Sequence, residues 1–167
     1  GSRLPVPGGE GSAEDMLAAL RGVELATLNL ATNKVDFSYY VPGMVMKFWK
    51  AGPAPAYLVE VQRDYKQALE AARRARAKSK PEGRWYPDFW VGRLEFALGY
   101  ANAVEAMHRG GTAEAAKKSG EALGEAEKAM ALVRGAVKSY ARVARNRTDL
   151  GAIAVMNAYV DPAKFAA

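Results

Sequence analysis

Apolar residues recur three and four positions apart, in segments separated by proline and glycine, and this spacing limits the chain more than any other feature. Leu58, Val61, Tyr65, Ala68, Ala72 and Ala75 form one series, and Leu123, Ala126, Met130, Val133, Val137 and Tyr140 form another. Residues at this spacing share one face of an α-helix, so each series is a stripe that needs a neighbour to cover it. The expected fold class is all-α.

Punctuation then divides the helices. Ser12 is expected to cap the first, with Glu14 and Asp15 in its opening turn and Met16, Leu17, Leu20 and Val23 following at helical spacing. Over 33–50 two patterns compete. Val35, Phe37, Tyr39 and Val41 alternate, as in a strand turning at Pro42-Gly43, whereas Phe37, Tyr40, Val41, Met44, Val45 and Phe48 keep helical spacing. A lone hairpin would leave open edges, so a helix kinked at Pro42 is expected.

Gly52-Pro53-Ala54-Pro55 precedes the second long helix, which Lys80-Pro81-Glu82-Gly83 ends. Pro87 suits the first turn of the third, whose stripe is Trp90, Leu94, Ala97, Ala101 and Val104 and whose stop is Gly110-Gly111. Thr112 is expected to cap the fourth. Its interior Gly120, Gly124 and Gly135 imply a neighbour at close range, since each costs about 1 kcal/mol relative to alanine. Thr148 or Asp149 would cap a closing helix ended by Asp161-Pro162. Short connections force neighbours to run antiparallel, so the expected architecture is an up-down-up-down four-helix bundle with a short C-terminal fifth helix.

The length of 167 residues, half of them apolar, suits one domain over 12–167. Gly1-Ser2 resembles a cleavage scar and Leu4 to Gly11 a proline- and glycine-rich linker, so 1–11 is expected to precede a module taken from a longer polypeptide. Cysteine is absent, which excludes disulfides and thiolate chemistry and leaves the compartment undetermined. No apolar run approaches the roughly 18 residues of a membrane span.

Catalytic, cofactor and metal sites are not expected. The single histidine, His108, cannot complete the usual zinc sets or supply the two Glu-x-x-His motifs of a di-metal carboxylate bundle, and capping near the end of the third helix accounts for it. Asp64, Glu95 and Glu105 are candidate catalytic carboxylates on helices, where solvation or pairing with a cation is the commoner state; Glu70 and Arg74 have the i, i+4 spacing for such a pair.

Two features point to contact with a partner. Arg84, Trp85 and Tyr86 precede the third helix; packing within the core and loops is the commoner state of such a cluster, and the alternative is a contact surface whose aromatic planes stack on sugars, bases or partner side chains. Arg134, Lys138 and Arg142, with Arg145 beyond them, share one face of the fourth helix; a solvated face is its commoner state, and the alternative is contact with phosphates or an acidic partner. That face lacks interleaved aromatics, and the run from Arg73 to Lys80 sits at a helix end where cations complement the macrodipole, so the net charge of +6 does not favour nucleic acid as the partner.

Trp90-Val91-Gly92-Arg93-Leu94-Glu95-Phe96 with Tyr100, and Arg145-Asn146-Arg147-Thr148-Asp149-Leu150-Gly151 leading to Asn157-Ala158-Tyr159, resemble C-terminal helical domains of large bacterial multidomain proteins of glycoside-hydrolase type. The resemblance implies that catalysis lies in an upstream barrel against which the helices pack. The expected function is a non-catalytic helical module for domain packing or partner interaction. The alternatives are a carbohydrate-contacting accessory domain and an anionic-ligand or nucleic-acid binder.

Overall fold

The computed structural model describes residues 10–37 and 41–160, apart from the side chains of the helix-end residues 10, 159 and 160. Among these residues the chain is all-helical, without strands. Its elements are α1 (Glu10–Thr32), α2 (Val41–Phe48), α3 (Ala56–Lys78), a 3-10 turn (Pro81–Gly83), α4 (Trp85–Ala115), α5 (Ser119–Arg142) and α6 (Arg147–Val160). No helix is long and apolar enough to cross a membrane.

The stripe of α3 is buried throughout, from Leu58 and Val61 to Ala72 and Ala75, because the helix packs between α1 and α4. Leu94, Ala101 and Val104 are buried on α4, with Trp90 and Ala97 partly covered. On α5 the inward stripe differs from the expected one. Ala122 and Ala129 are buried and Leu123 is exposed at its start, whereas Val133, Val137 and Tyr140 are buried as expected, with Ala136 beside them.

Close packing joins α1 to α3, α3 to α4, α4 to α5 and α5 to α6, and sets α2 against α4 and α6. Contacts between side chains give the directions. Asp15 pairs with Lys78 and Asn29 with Glu60 between α1 and α3; Gln62 meets Asn102 and Arg73 meets Glu95 between α3 and α4; Arg109 meets Glu125 and Glu95 meets Arg142 between α4 and α5. In each pair one sequence ascends while the other descends, so successive long helices are antiparallel. A pairing of α1 with α5 is not among the close ones described, and α1 stands at an edge.

Four boundaries differ from expectation, each for a local reason. Residues 33–50 form neither one kinked helix nor, among the described residues, a hairpin. Lys34 adopts φ 55°, while the N–H of Lys34 donates to Ala31 and that of Val35 donates to Leu30, at 3.0 and 2.9 Å. This pair of bonds is a Schellman stop, and it ends α1 with lysine in the place glycine usually takes. Pro42 then opens α2 in its first turn, where its missing donor costs nothing. Tyr39 and Tyr40 lie outside the described residues.

Ser12 is not a cap, because α1 begins at Glu10. Its hydroxyl is buried 2.9 Å from the Ser79 hydroxyl and 3.1 Å from the Ala75 carbonyl, joining α1 to α3. Gly110-Gly111 does not stop the third long helix. The Trp49 ring lies on Gly110, and the Lys50 backbone is so close that a Cβ on Gly111 would sit 2.5 Å from its nitrogen. Helix α4 instead ends at a second Schellman stop, where Lys117 has φ 59° and the Lys118 N–H donates to Ala113. Thr112 is therefore inside α4; its hydroxyl accepts from the Gly52 N–H at 3.1 Å and lies 3.0 Å from the Gly52 carbonyl.

The fourth difference is at α6, whose cap is Asn146. Its Oδ1 accepts the Asp149 N–H at 2.8 Å. Gly120, Gly124 and Gly135 have open space where a Cβ would stand, so no neighbour explains them. The close approach is at Gly92, where a Cβ would fall 2.6 Å from Val143.

Candidate interaction surface

The start of α4, the ends of α3 and α5, and the start of α6 meet at one end of the molecule. Helix α6 is fixed there through Asp149. Its buried carboxylate accepts the Tyr140 hydroxyl at 2.7 Å and the Arg145 N–H at 3.0 Å, and lies 3.4 Å from Arg93. Those hydrogen bonds, from Arg145 and then Tyr140, together with the Arg93 charge, hold the carboxyl below its ordinary 3.8. The Arg93 guanidinium also covers the Tyr140 ring, 4.3 Å from its centroid.

Outside this lock the surface is aromatic and cationic. Trp85 is 50% exposed and Tyr86 is 38% exposed, their rings edge to face with centroids 5.5 Å apart. The Arg145 guanidinium lies 4.6 Å above the Trp85 ring and 5.7 Å from that of Phe89, so both its position and that of the indole are set before any partner arrives. A cleft of about 410 Å³ opens beside them, bordered by Trp85, Asp88, Phe89, Arg142 and Arg145.

A second cleft, of about 640 Å³, holds Arg73, Arg76, Asp88, Glu95 and Arg142. Glu95 takes Arg73 at 3.0 Å and Arg142 at 2.9 Å, and Asp88 takes Arg76. Burial pushes the Glu95 carboxyl up, but hydrogen bonds from Arg73, Ser139 and Arg142 outweigh it and hold the group below 4.5. On the other side of Trp85 an apolar groove of about 430 Å³ runs between α1 and α4, lined by Met16, Leu17, Leu20, Trp85, Tyr86 and Pro87.

The structure brings Arg84, Trp85, Tyr86 and Arg142 to this end. Arg84 is exposed just before α4, with its guanidinium 3.5 Å from the Ser79 carbonyl. Arg134 and Lys138 are exposed further back along α5 and do not join the clefts around Trp85. Arg145 and Glu95 complete the surface. Sequence spacing placed Arg145 on the basic face of α5 but not over Trp85, because that contact needs the end of α5 to reach the start of α4. The segments 90–96 and 145–151 meet here, through Arg93 with Asp149.

The other candidates are placed elsewhere. His108 is not a cap, since α4 continues to Ala115; its buried ring lies 6.3 Å from that of Phe48, and neither nitrogen has a hydrogen-bond partner among the described residues. Burial, reinforced by the Lys50 charge, holds its pKa below 6.5. The nearby Glu105 is held by Gln62 at 2.8 Å and Arg109 at 2.6 Å. Arg74 pairs with Asp15 at 3.0 Å rather than with Glu70. Among the described residues no group of three or more histidine or carboxylate side chains is placed to hold a metal ion.

Comparison of the chain with family models, with curated proteins and with solved structures gives no match.

Proposed function

We propose that this chain is a non-catalytic helical module that packs against a neighbouring domain or protein through the end carrying Trp85 and Arg145. One observation carries this: a half-exposed tryptophan fixed under an arginine and flanked by clefts on both sides. Tryptophan, tyrosine and arginine dominate the energetic centres of protein interfaces, and a contact group already held in place loses little freedom on binding. The up-down-up-down disposition of α1, α3, α4 and α5, with α6 as a short fifth helix, suits a rigid support for such a surface. The resemblance to C-terminal domains of bacterial glycoside hydrolases supports the same role, with a catalytic barrel as the neighbour.

The test is association in trans with a glycoside-hydrolase catalytic barrel, the neighbour that the resemblance implies. Binding measured by calorimetry should weaken at least about tenfold in Trp85→Ala and in Arg145→Ala, as for central interface residues. Absence of binding by the unaltered chain refutes the proposal.

The exposed indole also favours a second role, contact with carbohydrate, for which Trp85 and Tyr86 supply stacking planes. Quenching or a blue shift of Trp85 emission on adding neutral oligosaccharides, lost in Trp85→Phe, is the outcome that selects it. An anionic ligand is a third role. Its support is weaker, because Arg73 and Arg142 are already engaged by Glu95.

A further inference from the structure

Among the described residues, the close packing of helix α1 is on one side. Its inward face, through Met16, Ala19 and Ala26, meets the core, and α3 is its close neighbour. Its outward face carries Leu17, Leu25 and Leu28, which are 50, 57 and 63% exposed. Leu17 and Leu28 lie in line along the helix and Leu25 flanks them, so the solvent side of α1 carries apolar groups along its length.

The order of residues on that face identifies the occupant. Glu14, Leu17, Arg21, Glu24, Leu28 and Ala31 follow one another at alternating steps of three and four, and all are exposed. That is the spacing of a two-helix seam, here with charged side chains at Glu14, Arg21 and Glu24, so charge pairing rather than apolar packing alone decides its partner. Reversed about a two-fold axis between Gly22 and Val23, the seam complements itself. Leu17 faces Leu28 of a second copy, Arg21 faces Glu24, Glu14 faces Ala31, and each pairing occurs twice. Leu20 and Leu25 are matched by the same axis. A parallel pair in register would instead set Arg21 against Arg21 and Glu24 against Glu24, which like-charge repulsion opposes.

Neither Arg21 nor Glu24 forms an ion pair among the described residues, so both remain available to a second copy. The apolar groove between α1 and α4 opens beside Leu17, where this register delivers Leu28 of the second copy. From the self-complementary seam and this adjoining groove we infer that the chain forms an antiparallel homodimer through the outward face of α1. The interface is isologous, and two-fold symmetry closes it at two copies. It adjoins the contact proposed for Trp85 and Arg145 at the groove beside Leu17, and the pairing of Arg21 with Glu24 tests it independently of that contact.

Sedimentation equilibrium on the intact chain up to about 200 μM should show a monomer–dimer equilibrium, as a small interface of this kind gives micromolar association. Arg21→Glu should weaken the dimer at least about tenfold, and the double exchange Arg21→Glu with Glu24→Arg should restore it to within about threefold, because the exchange regenerates both cross-pairs. These residues are exposed, so helix content by circular dichroism should not change. The chain has no cysteine, which makes a crosslink unambiguous. Chains with Leu17→Cys mixed with chains bearing Leu28→Cys should oxidise to a mixed disulfide dimer, while each alone should form little. A chain monomeric throughout that range, a dimer indifferent to Arg21→Glu, or crosslinking by Leu17→Cys alone each overturns the proposal. The first of these outcomes would leave the face to another domain of a longer polypeptide.

Discussion

Two lysines occupy backbone positions where a side chain is a cost. Lys34 and Lys117 have φ of 55° and 59°, a region in which the Cβ crowds the following carbonyl. Lys117→Gly should therefore stabilise the fold by about 1 kcal/mol in urea denaturation, with Lys34→Gly behaving alike. Glycine at helix interiors gives the opposite contrast. Gly135→Ala, with open space beyond it, should add about 1 kcal/mol, whereas Gly92→Ala should remove about 1 to 3 kcal/mol by pushing against Val143. His108 supplies a pH dependence. Its pKa is lowered in the folded chain, so below the ordinary 6.5 the unfolded chain takes up a proton that the folded chain refuses. Stability is then intact above that pH and falls as pH drops through it; urea midpoints between about pH 8 and pH 5 should show this, and His108→Leu should flatten the slope.

At the scale of elements, legibility followed the neighbours. Helix α3 was readable to the residue, since α1 and α4 cover it on two sides and its stripe has no competitor. The end of α1 was not, because a Schellman stop built on lysine leaves no glycine to see. Gly110-Gly111 misled in the reverse sense, its small residues serving the approach of Trp49 and Lys50 rather than a stop. On α5, Leu123 faces solvent and Ala122 the interior, a rotation that spacing alone does not reveal when alanine is frequent. Trp85 is half exposed, although core and loop packing is the commoner state for such an aromatic cluster, and the Arg145 that fixes it becomes visible only once α5 and α4 are set side by side. Helix α6 has the most exposed dependence on one residue. Asp149→Ala should cost about 3 kcal/mol, removing a buried acceptor from Tyr140, Arg145 and Arg93 together, and should raise amide exchange across 147–160 before the other helices are affected. Tyr140→Phe removes one of those bonds and should cost about 1 kcal/mol.

The whole molecule is a succession of antiparallel neighbours in which the arginine and aromatic end and the outward side of α1 adjoin at the groove beside Leu17. The arginine and aromatic end presents polar groups already matched within the chain, while the outward side of α1 presents unmatched leucines and two free-standing opposite charges. Salt should therefore separate them. Raising ionic strength should weaken the α1 self-association modestly through Arg21 and Glu24, by about 1 kcal/mol or less, and leave its leucine contribution in place. One connection crosses this succession. Trp49 donates to Glu114 at 2.6 Å and Gly52 to Thr112 at 3.1 Å, partners 65 and 60 residues apart in the chain. Most other helix contacts join consecutive long helices and can zip up as each hairpin forms, but this clasp has to wait for α3 and α4 to be laid down and turned back. Trp49 should therefore report late assembly, its indole expected to reach Gly110 only after α3 and α4 have paired.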